Sequence, residues 1–171
     1  IHITLACAIP KKQKFDFIIE KATELGVERI IPLETKRTEV KLRGSRHDAK
    51  IKRWRSIAIN AAKQCQRNTL PQITEVRKLC DIFSVDKFDI VIIPALFGKR
   101  KKITDILKPH FKGRMLIIIG PEGDFTSEEV EYVLNKGAEA VTLGETVLKV
   151  DTAAIATLAF IKGLLAENED S

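Results

Sequence analysis

The chain has 171 residues, 44% of them hydrophobic, which is enough for one well-buried core and favours a single compact domain. It contains no signal-like apolar run and no stretch of about 18 or more apolar residues, so the sequence predicts a soluble, cytoplasmic protein without membrane contact. The net charge of +6 argues for an anionic partner or simply for solubility.

The distribution of charge is uneven along the chain. Residues 1–68 carry 16 Lys and Arg against 7 Asp and Glu, whereas residues 69–171 carry 13 against 16. A basic half of this kind concentrates phosphate backbone near its surface, which slightly favours contact with RNA or DNA over a merely soluble basic surface. Both interpretations stay open on charge alone.

Cysteine and histidine patterns favour neither a disulfide framework nor a metal site. Three cysteines are odd in number and none is in C-x-x-C spacing, and the three histidines are scattered. No G-x-S-x-G motif occurs, and no Ser or Cys has a persuasive His partner for nucleophilic catalysis. The sequence therefore predicts a protein without bound metal.

Short apolar runs alternate with segments of helical periodicity, which predicts an α/β fold with a mostly parallel sheet flanked by helices. A further short extended piece is expected near Ile73. The predicted strands cover 1–9, 27–33, 38–42, 88–96, 114–120 and 139–143, and the predicted helices cover 15–26, 48–66, 78–84, 102–110, 126–137 and 151–167.

Helix ends carry recognisable signals. Gly26 and Gly137 each stand where a glycine ends a helix, and Thr126 with Glu129 forms an S/T-x-x-E capping box. The last helix, 151–167, is apolar on nearly every face, so more than one of its surfaces should be buried. One partner is the sheet, and the other is either a second subunit or a deep position within the chain.

Two glycine turns follow predicted strands and are candidates for a binding site. In the first, "GPEG", Pro121 fixes its own φ and lacks an N–H, Gly123 permits close approach or positive φ, and Glu122 is held at the tip. Taken alone, this stretch favours an ordinary β-turn with Pro121 at its second position that leads into a capped helix. The second turn, "LGETVLKVDTA", also follows a short strand and leads into the last helix.

Ligands of open α/β sheets bind beyond the carboxyl ends of the strands, so the two turns are expected to border one crevice. Neither G-x-G-x-x-G nor G-x-x-x-x-G-K-[ST] is present, which argues against a dinucleotide or P-loop phosphate site. The pattern predicts a small, flat ligand such as adenine, bound largely by backbone groups.

The segments "IIGPEGDFTSEEVE" and "LGETVLKVDTAAI" resemble the paired C-terminal motifs of the SPOUT-class RNA methyltransferases, specifically the RsmE family. Two upstream segments, "EKATELGVERIIPL" and "AAKQCQRNTLPQI", resemble other signatures of that family. The resemblance covers most of residues 11–165. It implies methylation of N3 of a uridine in 16S ribosomal RNA of the small subunit, with S-adenosyl-L-methionine as the methyl donor.

The resemblance also implies a fold and an assembly that periodicity does not predict. The whole chain, 1–171, would be one SPOUT-type methyltransferase domain with a C-terminal deep trefoil knot, and an N-terminal PUA-like RNA-binding domain would precede it outside this chain. The protein would be a homodimer, which gives the doubly buried last helix a partner. The implied cofactor-binding residues are Leu96, Gly120, Pro121, Glu122, Gly123, Leu143, Gly144, Thr146, Val147 and Leu148.

Methyl transfer from a sulfonium needs mainly alignment of donor and acceptor, but uracil N3 must lose its proton. Candidates for holding the RNA or the base are Arg67 and Asn68 after the 48–66 helix, and Lys149, Asp151 and Thr152 after the second turn. Helix capping and surface ion pairing are the alternative roles of these residues.

This chain departs from the family pattern in both turns. The family more often has Arg-x-Leu-Arg-x-Glu-Thr-Ala in the second turn, where this chain has Thr146, Lys149 and Asp151. A lysine supplies a point charge rather than the rigid fork of an arginine, which affects substrate affinity or the choice of nucleotide. The first turn reads Gly123-Asp124 where a second glycine is common. Ribose 2′-O methylation and non-catalytic RNA binding on the same fold are therefore alternative functions.

Overall fold

A computed structural model describes residues 1–12, 14–84, 86–96, 98–108 and 110–166 of the chain. The strands are β1 (His2–Ala8), β2 (Arg29–Glu34), β3 (Gln72–Ile73), β4 (Arg77–Lys78), β5 (Ile90–Pro94), β6 (Arg114–Ile119) and β7 (Glu139–Val141). The helices are α1 (Lys14–Glu24), α2 (Ser45–Gln64), α3 (Ile103–Ile106), α4 (Ser127–Asn135) and α5 (Val150–Ala166), with a 3₁₀ turn at Leu79–Asp81.

Within the described ranges the seven strands form one parallel sheet in the order β3-β2-β1-β6-β5-β7, and β4 also pairs with β2. The predicted α/β class and the mostly parallel sheet with flanking helices are confirmed. Because all strands run in one direction, their carboxyl ends meet at a single edge of the sheet, where ligands of such folds bind.

Side chains of the central strands alternate between two apolar cores. From β6, Met115 and Ile117 pack toward α1, α2 and α5, whereas Leu116 and Ile118 pack toward α4 and the 3₁₀ turn. All four are fully buried. The near-continuous apolar sequence of β6 follows from this position, since a central parallel strand is covered on both faces.

Several predicted element ends are confirmed by backbone geometry. Gly26 and Gly137 have φ values of +85° and +89°, as expected of glycines that end a helix. The Thr126 hydroxyl accepts a hydrogen bond from the Glu129 amide, and the Glu129 carboxylate accepts one from the Thr126 amide, which completes the capping box.

The predicted strand over 38–42 is wrong. The Thr35 amide donates to the Thr38 hydroxyl over 3.0 Å, so the chain turns after β2 instead of continuing in extended form. Leu42 then packs into the core beside the helices, and β3 and β4 take the positions next to β2. The apolar residues of this segment reflect core packing and not strand alternation.

Two other predicted helices are shorter in the structure. In the segment 78–84, Lys78 belongs to β4 and the helical part is the 3₁₀ turn Leu79–Asp81. Helix α3 ends before Leu107, whose ψ of 112° is extended. Pro109, in the predicted 102–110 helix, and Glu167, in the predicted last helix, lie outside the described residues.

The path of the chain into α5 brings the two glycine turns together. β7 lies outside β5 in the sheet, yet α5 packs against α1 and β6. Residues 142–149 therefore cross the carboxyl ends of β5 and β6.

Among the described residues, no helix has the length and apolar character needed to cross a membrane.

Candidate cofactor cavity

A cavity of about 350 Å³ lies where residues 142–149 cross the sheet edge. Its walls come from three segments that follow β5, β6 and β7, so both glycine turns border the same space. Lining residues are Pro94, Ala95, Leu96, Arg100, Ile119, Gly120, Pro121, Glu122, Asp124, Leu143, Gly144, Glu145, Thr146, Val147, Leu148, Lys149, Val150 and Ala153. The cavity contains nine of the ten predicted cofactor-binding residues; their role in binding stays a prediction.

The first turn is shaped by close packing at Gly120. A Cβ atom at Gly120 would lie 2.9 Å from the Phe125 ring, so only glycine fits there without a shift of that ring. Gly123 lies outside the lining and its carbonyl accepts a hydrogen bond from Arg37 Nη1 over 2.6 Å. The left-handed backbone of this turn falls on Asp124, with φ of +59°, and not on a glycine.

Glu122 connects the first turn to the segment after β1. Its Oε1 accepts a hydrogen bond of 2.9 Å from the Lys11 amide, although the two residues are 111 positions apart. The Lys11 ammonium in turn pairs with Glu39 over 2.8 Å. The Glu122 carboxylate, which the sequence predicts at the tip of the turn, therefore holds the loop after β1 in place beside the cavity.

The second turn presents open backbone to the cavity. Gly144 has a φ of +118°, and a Cβ atom built there meets nothing within 4 Å. The Thr142 hydroxyl bonds both the amide and the carbonyl of Gly144, at 3.2 Å each, which holds the turn in place. Val147, the next apolar residue, is 73% exposed.

The start of α5 carries the predicted substrate-side residues. Lys149 is exposed and lines the cavity, and its carbonyl accepts the Ala153 amide at the start of the helix. Asp151 is half-buried just beside the lining, where its Oδ1 accepts from Lys14 Nζ over 3.2 Å. Thr152 is exposed and outside the lining.

Lys14 was not among the predicted site residues. It appeared in the sequence only as one of many basic residues, and nothing local marks a partner 137 positions away. Its position follows from the topology, because α1 begins after the carboxyl end of β1 and α5 begins after the second turn.

Cys7 lies beneath the cavity at the end of β1 and is fully buried. Burial raises the pKa of its thiol far above the ordinary range, and the negative charges of Glu122 and Asp151 raise that pKa further. Cys7 is therefore held as a neutral thiol and cannot act as a nucleophile at neutral pH. Among the described residues, no cluster of three His, Cys, Asp or Glu side chains is placed to bind a metal ion.

Arg67 and Asn68 lie at the opposite edge of the sheet. The Arg67 guanidinium donates to the Thr23 carbonyl over 2.8 Å and to the Val27 carbonyl over 2.9 Å, just before β2 begins. Asn68 is exposed beside it. Neither residue lines the cavity of its own chain, and their role in holding the RNA stays a prediction.

We expect Arg67→Ala to lower the free energy of unfolding by about 2 kcal/mol, because it leaves two carbonyls between α1 and β2, those of Thr23 and Val27, without their charged donor. Arg67→Lys should recover only part of this stability, since an ammonium lacks the fork that reaches both carbonyls. Chemical denaturation measures both values. A loss below about 0.5 kcal/mol for Arg67→Ala would contradict the bonding role.

Comparisons with known proteins agree with this geometry. The family model for the RNA methyltransferase domain matches residues 1–162. The ribosomal RNA small subunit methyltransferase E of Mesomycoplasma hyopneumoniae is 36% identical over 154 residues, 90% of this chain and 66% of the relative. That of Bacillus subtilis is 32% identical, over 94% of this chain and 65% of the relative. The chain therefore spans about two thirds of the length of these curated relatives.

Two solved structures share the fold closely. The ribosomal RNA small subunit methyltransferase E of Neisseria gonorrhoeae, bound to S-adenosyl methionine, is 30% identical with a TM-score of 0.86, covering 96% of this chain and 67% of that one. A methyltransferase of Legionella pneumophila, in complex with the cofactor SAM, is 33% identical with a TM-score of 0.88, covering 95% of this chain and 66% of that one. The chain belongs to the RNA methyltransferase domain family and, within it, to the RsmE family.

Proposed function

We propose that this chain is the catalytic domain of an S-adenosyl-L-methionine-dependent methyltransferase that acts on N3 of a uridine in 16S ribosomal RNA. The main observation behind the proposal is that both glycine turns border the same cavity. Membership of the RsmE family and the cofactor-bound structures of the Neisseria and Legionella proteins support it.

The residues around the cavity fit a nucleoside-like cofactor. A volume of about 350 Å³ lies within the usual range for small-molecule sites. Leu96, Leu143 and Leu148 offer apolar surface to a flat ring, and Gly144 leaves its backbone accessible for hydrogen bonds. When bound, S-adenosylmethionine supplies a methyl group on a positively charged sulfur, which is already activated for transfer.

The chain itself must orient the acceptor and remove a proton from the uracil. Asp151 is the candidate base that accepts this proton. Its Oδ1 is paired with Lys14, and its Oδ2 has no hydrogen-bond partner among the described residues. Lys149 can stabilise the negative charge that develops on the uracil. Glu122 shapes the neighbouring loop, and Thr152 at the exposed helix start can hold the RNA.

Basic side chains lie along the carboxyl edge of the sheet, where the cavity opens, and fit an RNA substrate; Arg100 and Lys149 line the cavity itself. Exposed cations follow four different strands at the carboxyl edge of the sheet, and such a cluster attracts a phosphate backbone. They are Lys11, Lys12, Lys36, Arg37, Lys99, Arg100 and Lys149. Arg37 and Arg100 already bond backbone carbonyls, whereas the side chains of Lys12, Lys99 and Lys149 have no hydrogen-bond partner among the described residues.

We further propose that the crossing of residues 142–149 is part of the deep trefoil knot implied by the family. The position of β7 beyond β5, followed by α5 against α1 and β6, supports this path. Such a path fixes both turns on either side of the cavity, so the binding site does not depend on a mobile loop. Unassisted threading is expected to make refolding slow.

We also propose a homodimer that packs through α5. Phe160 on α5 is 49% exposed and Phe17 on the adjacent α1 is 47% exposed. Large exposed aromatic side chains on neighbouring helices are typical of protein interfaces. We also propose that Arg67 and Asn68 of one chain hold RNA that enters the cavity of the other.

Phe160→Glu is expected to convert the dimer into a monomer, because it places a charge where the partner helix packs. Analytical ultracentrifugation measures the change. Leu70→Glu is the matched control, since Leu70 is 58% exposed but lies in the loop after α2, and the dimer should persist. A monomeric parent chain, or a Phe160→Glu variant that stays dimeric, would contradict this interface.

Methyl transfer from labelled cofactor to small ribosomal subunits that lack the modification tests the proposed function. Label in 16S ribosomal RNA together with a new reverse-transcription stop at a uridine supports N3 methylation, because N3 methylation blocks base pairing. Label without a stop would indicate ribose methylation, which the departures at Thr146 and Lys149 keep as the alternative. Absence of cofactor binding by the folded chain would overturn both activities.

A further inference from the structure

A second cavity lies on the other face of the sheet. It has a volume of about 400 Å³ and opens between the end of β2, the segment from β4 through the 3₁₀ turn, and the start of α4. It belongs to the side covered by α4, opposite α5, and shares no lining residue with the first cavity. The proposed methyl transfer makes no use of it.

The walls of this second cavity are held in place. The Tyr132 hydroxyl donates to the Cys80 carbonyl over 3.1 Å, and its ring contacts Phe83 edge-on at 6.1 Å between centroids. Leu79 is buried beside it, and the turn after β2 is fixed by the Thr35 hydrogen bond described above. A preformed apolar wall of this kind is suited to a flat ring.

The carboxylates around the cavity already have donors. Both oxygens of Glu34 accept from Arg43, at 2.7 and 2.9 Å. Glu129 accepts from the backbone amides of Lys36 and Thr126, at 2.8 and 2.9 Å. Glu128 pairs with the Lys36 ammonium over 3.3 Å. Every negative charge of the lining is therefore compensated within the chain.

Two lysines of the lining form no salt bridge among the described residues. Lys41 and Lys78 are exposed, and their ammonium groups have no hydrogen-bond partner in the part of the chain that the structure describes. Both lie close to Glu34: the hydrogen bond from Arg43 is the main cause that lowers the pKa of Glu34, and the charges of Lys41 and Lys78 lower it further. Two ammonium groups beside an apolar wall match a ligand with one ring and one anionic group.

We propose that the second cavity binds a nucleotide of the RNA substrate outside the target position, with its base against Leu79 and Tyr132 and its phosphate between Lys41 and Lys78. This inference rests on the proposed action on RNA. A bound nucleotide there would anchor the strand on the side of the sheet opposite α5, so it would add affinity and leave methyl transfer itself unchanged.

The two accessible cysteines provide a direct test. Cys80 lines the second cavity and is exposed, whereas Cys65 lies on the other side of the sheet at the end of α2. We would measure the rate of alkylation of both thiols by iodoacetamide, with and without a saturating short uridine-rich RNA. Bound RNA is expected to slow alkylation of Cys80 about tenfold, because the covered thiol reacts only when the ligand is absent, whereas slower alkylation of Cys65 alone would place the RNA near Arg67 and Asn68 and overturn the second site.

Matched variants distinguish binding in the second cavity from nonspecific attraction of RNA to the basic surface. Lys41→Ala with Lys78→Ala should abolish the protection of Cys80 and reduce the salt dependence of RNA binding by about one phosphate contact, a slope change of about 0.7. Lys52→Ala with Lys63→Ala removes the same charge from the exposed surface of α2 and should leave the protection intact. Uridine 5′-monophosphate alone, at high concentration, should protect Cys80 weakly.

The outcomes distinguish this inference from the proposed function. RNA that binds, as measured by fluorescence anisotropy, while Cys80 reacts at its original rate would overturn the second site alone. Protection that survives Lys41→Ala with Lys78→Ala would overturn the assigned phosphate position. A chain that binds S-adenosylmethionine but no RNA would overturn the RNA substrate and this inference together.

Discussion

Gly144→Val should weaken binding of S-adenosylmethionine by about a hundredfold while the chain stays folded. Gly144 has a φ of +118°, where a β-branched side chain is strained by about 2 to 3 kcal/mol, so the turn must move to relieve the strain. The new side chain would also project toward a space with no atom within 4 Å, which is the space proposed for the cofactor. Isothermal titration calorimetry measures the affinity.

Gly137→Val is the matched control for backbone strain. Gly137 has a φ of +89° and an equally open Cβ position, but it ends α4 and does not line the cavity. Both variants should lose similar stability in thermal unfolding, and only Gly144→Val should lose cofactor affinity. Equal cofactor affinities for the two variants would place the binding site elsewhere.

Sequence patterns were most informative where a structural signal is local. The capping box at Thr126 and Glu129 and the helix-ending glycines need only a few neighbouring residues to form, and each is where the pattern predicts it. The apolar runs of β5 and β6 likewise predict buried parallel strands. The predicted strand at 38–42 failed because its apolar residues are buried by α-helices, and burial alone does not distinguish a strand from a packed loop.

Long-range contacts explain what the sequence could not provide. The hydrogen bond from Lys11 to Glu122 and the ion pair of Lys14 with Asp151 join residues more than 100 positions apart, and only the sheet order makes them neighbours. Arg67 is a second example of a contact that the sequence does not reveal. As a basic residue at a helix end it is compatible with RNA binding, but its guanidinium donates to two carbonyls of its own chain. The second cavity likewise depends on β4, which has no periodic signal.

Asp151→Asn should lower the rate of methyl transfer about a hundredfold or more and change cofactor affinity little. A positioned general base contributes about 10² to 10⁴ in rate, and an amide cannot accept the uracil proton in its place. Asparagine keeps the size of the side chain at the start of α5, so the cavity walls should be retained. Single-turnover kinetics at saturating cofactor and RNA measure the chemical step.

Lys14→Met separates proton removal from positioning. It removes the ion pair of 3.2 Å with Asp151 but keeps the carboxylate, so the rate should fall much less than in Asp151→Asn. The pH dependence gives an independent criterion. In Asp151→Asn, hydroxide must remove the proton, so the residual rate should rise in proportion to hydroxide concentration, whereas the rate of the parent chain should depend much less on hydroxide. Parallel pH profiles for the two would assign Asp151 to helix capping, and the base would have to be sought elsewhere at the cavity mouth.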